Sequence, residues 1–155
     1  MNIITMADIR KAISISIELC VKFEGVELEP YLCPAGVPSI GVGATFYEDG
    51  RRVTLKDAPI SRKRAYELLA WMIETQYLPA VLKLCPAIDT PERLAALIDF
   101  SFNLGVGALK QSTLRRKIIA DRWEDVPFEL RKWVYGGGRK LNGLVLRRDA
   151  EASLI

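Results

Sequence analysis

Between residues 24 and 57, glycine and proline cut the chain into pieces too short for a helix. Gly25, Pro30, Pro34, Gly36, Pro38, Gly41, Gly43 and Gly50 bracket short runs such as Tyr31-Leu32 and Ile40-Gly41-Val42. Proline has no amide donor and glycine weakens a regular helix, so this stretch is confined to short strands and turns. Glu48-Asp49-Gly50 supplies a tight turn. Helical periodicity stands on either side. Ile9, Ile13, Ile17, Cys20 and Val21 recur like a helix face, although Ile13 to Ile17 also alternates like a strand. The helical pattern persists over three turns, and Thr5 with Asp8 can form a capping box, so a helix is favoured over 8–23.

Beyond the β-rich stretch the chain reads as helical to its end. Ser61 caps a helix with Ala65, Leu68, Leu69 and Met72 on one face, and Pro79 is expected to end or kink it. Thr90-Pro91-Glu92 opens another, with Leu94, Leu97, Ile98, Ser101 and Phe102, stopping near Gly105. Further helices are expected over 113–121, over 126–134 and after Asn142-Gly143, with Gly136-Gly137-Gly138 as a break. The fold class is therefore α+β, mostly helical with a small β-hairpin lobe. One domain covers 1–155: a β-rich lobe at 24–60 and a helical lobe at 61–155, joined by the helix at 8–23. A cleft between two such lobes suits a long polymer.

The chain has no histidine. That excludes Ser-His-Asp and Cys-His mechanisms and most zinc sites. Three cysteines, Cys20, Cys33 and Cys85, form no CxxC pair and no even-numbered disulfide framework. No metal site and no cofactor is expected. Acid-base chemistry then falls to carboxylates, Cys, Tyr or Lys. The formal charge of +3 is too small to argue for nucleic acid. The apolar stretch 13–23 carries Glu18 and Lys22 and is too short to span a bilayer, so no stable membrane insertion is expected.

Among the carboxylates, Glu24 stands where the first helix gives way to the β region, beside Phe23. A partly apolar surrounding there favours the protonated carboxyl that a general acid needs. Cys33 follows nine residues later and Ser39 six after that. Around them stand Phe23-Glu24-Gly25 and the run from Pro30 to Gly43. Farther on come Phe102-Asn103-Leu104-Gly105-Val106-Gly107 with Ser112-Thr113-Leu114, then Trp133-Val134-Tyr135-Gly136-Gly137-Gly138, then Gly143 to Glu151. Four such segments in this order, over roughly residues 16–154, resemble the phage-type lysozymes, glycoside hydrolase family 24. That family's pattern is Glu, eight residues, Asp or Cys, five residues, Thr, and then a Gly-rich strand.

The resemblance implies a two-lobe lysozyme-like fold and an endolysin muramidase. It would cut the β-1,4 bond between N-acetylmuramic acid and N-acetylglucosamine in bacterial peptidoglycan, for host lysis by a phage or prophage. Glu24 is the implied general acid, and Cys33 and Ser39 flank the attacking water. Ser39 stands in place of Thr and keeps the hydroxyl. Cys33 stands in place of the commoner Asp; an ordinary thiol is mostly neutral at pH 7. Inversion by water is implied, and retention through a Cys33 nucleophile or a transglycosylase outcome stays open.

We assign Asn103, Tyr31 and Arg148 as candidate substrate-binding residues. Arg147 or Arg148 could pair with Glu24 or lie solvated on the last helix, and the solvated face is favoured. Trp71, Trp123 and Trp133 are expected in the core. Glu29, Asp49 and Asp57 are possible replacement carboxylates. A glycan-binding module that has lost turnover is the reading from another class. A monomer is expected. With no export signal visible, the enzyme is expected to be made in the host cytoplasm and to reach the wall in the periplasm through a membrane pore.

Overall fold

The structure, a computed structural model, describes residues 4–155; the first three residues of the one-domain reading lie outside the described residues. Helix α1 (Met6–Glu24) begins at the expected box. The Thr5 hydroxyl accepts from the Asp8 amide, and the Asp8 carboxylate accepts from the Thr5 amide. Two otherwise unpartnered amides are thus satisfied. The strand-like alternation over Ile13–Ile17 does not prevail, because the helix buries Ala12, Ser16 and Cys20 along one face.

Strands β1 (Glu27–Leu32) and β2 (Pro38–Gly41) form an antiparallel hairpin with Tyr31 opposite Ser39 and a register irregularity between Glu27 and Tyr31. The turn at 47–51 closes as expected: the Tyr47 amide donates to the Arg51 carbonyl at 2.9 Å and the Gly50 amide to the Tyr47 carbonyl at 3.0 Å.

Helix α2 (Arg62–Met72) is capped by Ser61 and buries the four expected residues. The chain does not end at Pro79. A proline there has no N–H for the carbonyl four residues earlier. The backbone shifts into a π turn over Ile73–Tyr77, with the Leu78 amide reaching back to the Ile73 carbonyl, and resumes as α3 (Leu78–Leu84).

Helix α4 (Pro91–Leu104) is capped by Thr90 and is the centre of the molecule. Every residue from Leu94 to Ser101 is buried, so it is enclosed on all sides, with α1, α3 and α8 against it. Each fully buried Leu or Ile here is worth about 1.5–3 kcal/mol of burial. Asp99 is buried with them.

After α4 the helices are short: α5 (Val106–Lys110), α6 (Thr113–Ile119) and α7 (Val126–Leu130), the last preceded by a 3-10 turn at Trp123–Asp125. Helix α7 is thus shorter than the expected 126–134. The glycine break is in fact a second hairpin, β3 (Tyr135–Gly136) with β4 (Arg139–Lys140). Its two-residue loop needs positive φ at both positions, and Gly137 and Gly138 supply +59° and +80°. Helix α8 (Asn142–Ala152) closes the chain against α4 and α7. Trp123 is buried, and Trp71 and Trp133 pack partly buried against the core. Among the described residues, no helix is long and apolar enough to cross a membrane.

Candidate active site

Glu24 is the last residue of α1. The chain turns away at Gly25, whose φ of +75° and ψ of −179° belong to a region that side chains other than glycine's rarely enter. A carboxylate at a helix C-terminus opposes the helix dipole. It therefore needs a cation, and α8 provides one: Arg147 Nη1 donates to Glu24 Oε1 at 2.5 Å. The Glu24 side chain is 36% exposed and that of Arg147 only 4%.

Arg147 has a second partner. Its Nε and Nη2 donate to the two carboxylate oxygens of Asp99, both at 2.9 Å. Burial opposes the Arg147 charge, but the Asp99 bonds and charge, with those of Glu24, outweigh it and hold the guanidinium firmly protonated. The Cys20 thiol donates to Asp99 Oδ1 at 3.5 Å. Burial, and then the Asp99 charge, push that thiol well above its ordinary value, so it remains a neutral donor.

Arg148 makes the parallel arrangement. It meets Glu151 at two points, 2.6 and 2.8 Å, and its Nη2 donates to Asn103 Oδ1 at 2.9 Å. Arg148 and Glu151 have no exposed surface. Burial and a hydrogen bond with Asp99 push the Glu151 carboxyl up to about 9, although the Arg148 charge pulls it back. Two expectations need correction here. Neither arginine lies solvated on α8, because the helix turns both toward α4. Arg148, assigned as a substrate contact, cannot reach solvent. It bears on the site through Asn103, whose carbonyl it occupies, leaving the amide N–H donors for the groove that Asn103 lines.

That groove has a volume of about 410 Å³ and is walled by Phe23, Glu24, Asn103, Leu141, Leu144 and Arg147. A slightly larger depression, about 480 Å³, lies by Tyr47, Glu48 and Arg64. Its charges are already spent on one another, with Arg64 and Glu48 paired at 2.6 Å and the Tyr47 hydroxyl donating to Asp57 at 2.7 Å. Asp57 and Asp49 are thereby tied into local turns.

The hairpin brings Tyr31, Cys33 and Ser39 together. Burial raises the Tyr31 phenol, and the charges of Glu27, Cys33 and Glu24 raise it further, so this ring stands within the field of both Glu24 and Cys33. Cys33 is partly exposed at the start of the β1–β2 turn. The Val37 amide, helped by those of Ala35 and Gly36, outweighs burial and lowers its thiol below the ordinary value of 9.0. Ser39, expected beside the attacking water, is 1% exposed and donates its proton to the Val37 carbonyl at 3.0 Å. Its β2 position opposite Tyr31 turns it inward, under the turn that carries Cys33.

The residues that sequence reasoning missed are Asp99 and Glu151. An acid inside the apolar run Ala95 to Phe102, and an acid three residues after Arg148 on one helix face, were the available signals. Among the described residues, no group of three His, Cys, Asp or Glu side chains could hold a metal ion.

Comparison with known proteins fits this arrangement. The Phage lysozyme family model matches residues 21–151. The SAR-endolysin of Bacteriophage PS119 is 31% identical, over 83% of this chain and 73% of that protein. The endolysin of Bacillus phage B103 is 37% identical over 62% of this chain, which spans only 36% of that relative's length. Among solved structures, the endolysin from Escherichia coli O157:H7 phage FAHEc1 superposes with a TM-score of 0.78 at 28% identity, covering 90% of this chain and 89% of that one. With the family model matching nearly all of the segment that carries Glu24, the hairpin and both arginines, the chain belongs to the phage lysozyme family, as a lysozyme of the endolysin type.

Proposed function

We propose that this lysozyme is a muramidase that hydrolyses the β-1,4 bond between N-acetylmuramic acid and N-acetylglucosamine of bacterial peptidoglycan, with Glu24 as general acid. It acts as a monomer on the wall side of the host envelope during phage lysis. One catalytic domain suffices, with the 24–60 segment as one lobe and the helical body as the other. The observation that carries the reading is Glu24 itself, exposed at a groove and held from behind by Arg147, with Tyr31 of the hairpin within range of its charge.

In this reading Glu24 protonates the leaving glycosidic oxygen while water attacks the opposite face of the sugar. Inverting sites leave roughly 6.5–9.5 Å between the two groups for that water. Cys33 holds the water from the hairpin side. The loop amides lower its thiol toward the thiolate form, the stronger acceptor. Ser39 supports the turn from beneath and acts on the water only through Cys33. Asn103 donates to the sugar, and Tyr31 gives the chain a ring to lie on.

The same thiolate favours one second reading, attack by Cys33 on the sugar with retention. Product analysis separates the two. Inversion with water yields free reducing ends of inverted anomeric configuration. Retained configuration would indicate a covalent Cys33 intermediate, and fragments one water lighter would indicate a transglycosylase. Cys33→Asp should keep or raise the clearing of cell walls if Cys33 only holds water. Complete loss would assign the thiol its own chemistry.

A further inference from the structure

The contact between Glu24 and Arg147 poses a difficulty. A general acid must carry its proton before the reaction, yet a buried guanidinium at 2.5 Å favours the ionised carboxylate. When Glu24 takes up its proton, Arg147 loses a counter-charge. A buried arginine without one is costly. The structure contains a remedy.

We propose that Asp99 is the standing counter-ion of Arg147, a positioning residue that frees Glu24 to carry the proton it donates. The proposal rests on Glu24 being the acid.

The charge count favours it. The buried network joins Arg147 to Asp99 and Arg148 to Glu151, each at two points. Arg147 and Asp99 sum to zero by themselves, so that pair is balanced when Glu24 is neutral. Geometry assigns the roles in the same way. Asp99 has no exposed surface and takes both the Nε and the Nη2 of Arg147, whereas Glu24, open to solvent, takes only Nη1. Asp99 is also braced by the Cys20 thiol. An asparagine there could accept from Arg147 but would bring no charge.

The other groups that act on Glu24 do not serve instead. From the hairpin come Tyr31, with Glu27 and Cys33 beside it. From the π turn comes Tyr77, half-buried against Phe102. From its own helix come Cys20 and Lys22, the latter over the Phe23 ring. Among the described residues, the carboxylates paired with Arg147 are Asp99 and Glu24.

The test is the pH dependence of kcat/KM on solubilised peptidoglycan, together with the titration of the Glu24 carboxyl carbon in the free protein by NMR. In Asp99→Asn, Arg147 turns its whole charge on Glu24. Opposite charges at this range move a carboxyl by about 1–3 units. The alkaline limb should therefore move to lower pH by about one unit or more, roughly a fivefold loss or greater at the wild-type midpoint, with much of the rate kept on the acid side. An unmoved limb, or an equal loss at every pH, would overturn the proposal.

The double variant Asp99→Asn/Arg147→Met removes anion and cation together and keeps the interior neutral. Its limb should stay near that of wild type. A rise of one unit or more would show that Arg147 had not been compensated, and would overturn the proposal even if Asp99→Asn alone fails to fold. The two readings fail separately. Activity surviving in Glu24→Gln would remove the acid assignment while leaving the titration result standing. A Glu24 titration unmoved in Asp99→Asn, with Glu24→Gln inactive, would remove the counter-ion alone.

Discussion

Replacing Arg148 by methionine should be among the most damaging single changes away from the groove. Arg148 and Glu151 have no exposed surface and meet at 2.6 and 2.8 Å. Methionine keeps much of the volume but leaves Glu151 without a cation, and removing one partner of a buried pair costs about 3–5 kcal/mol. For a domain of this size that corresponds to a fall in Tm of roughly 6–20 °C. The cost should depend on pH, and its sign follows from Glu151. Burial and Asp99 already push this carboxyl above the ordinary 4.5. Without Arg148 the folded protein binds the proton still more tightly than the unfolded chain does. With the wild-type carboxyl already raised to about 9, both proteins keep it protonated below that value, and the penalty should widen only as pH rises toward and beyond about 9. Urea unfolding followed by tryptophan fluorescence at several pH values reads both effects. Arg148→Met/Glu151→Leu should be more stable than Arg148→Met, because an apolar pair of similar volume replaces a buried charge pair at little cost. A single variant within about 1 kcal/mol of wild type, at the level of an ordinary surface pair, and insensitive to pH would refute the reasoning.

Iodoacetamide should modify Cys33 ahead of Cys20 and Cys85, since both of those are buried and burial pushes their thiols up, Cys85 to about 11. Because the loop amides lower the Cys33 thiol, its alkylation should reach half-maximal rate below pH 9.0, and a midpoint above that would contradict the geometry of the turn. Gly25→Ala should cost about 1–3 kcal/mol, since alanine must take a backbone conformation reserved for glycine; a fully stable variant by thermal melting would show that the chain can leave α1 another way.

Much of the fold was legible because its signals are local. Thr5, Ser61 and Thr90 each cap the helix they were expected to cap, and the glycines and prolines between Glu24 and Asp57 mark the hairpin region. Pro79 was expected to end or kink the helix; the π turn that lets the chain continue past it was not legible, because such a turn has no pattern of its own. The second hairpin hid behind its glycines, because strands of two residues are too short to alternate.

In the site, Glu24 stood out by its place at a boundary. The fate of Arg147 could not be read from α8 alone, because Asp99 lies 48 residues away on α4 and Glu24 123 residues away on α1; Arg148 has Glu151 on its own helix, but Asn103 lies 45 residues away on α4. Burial of a charge is decided by what faces it across the core, and periodicity along one helix does not carry that information. The inward turn of Ser39 has the same origin, being set by its pairing with Tyr31 and by the proton it gives to Val37.

The most direct test of the central claim is the clearing of outer-membrane-permeabilised Gram-negative cells by wild type and by Glu24→Gln, side by side, with the fold of both confirmed by circular dichroism. Loss of a general acid costs about 10²–10⁴-fold in rate, so wild type should clear the suspension while the folded variant leaves it turbid. A folded Glu24→Gln protein that still clears the cells would contradict the assignment of Glu24 as the acid.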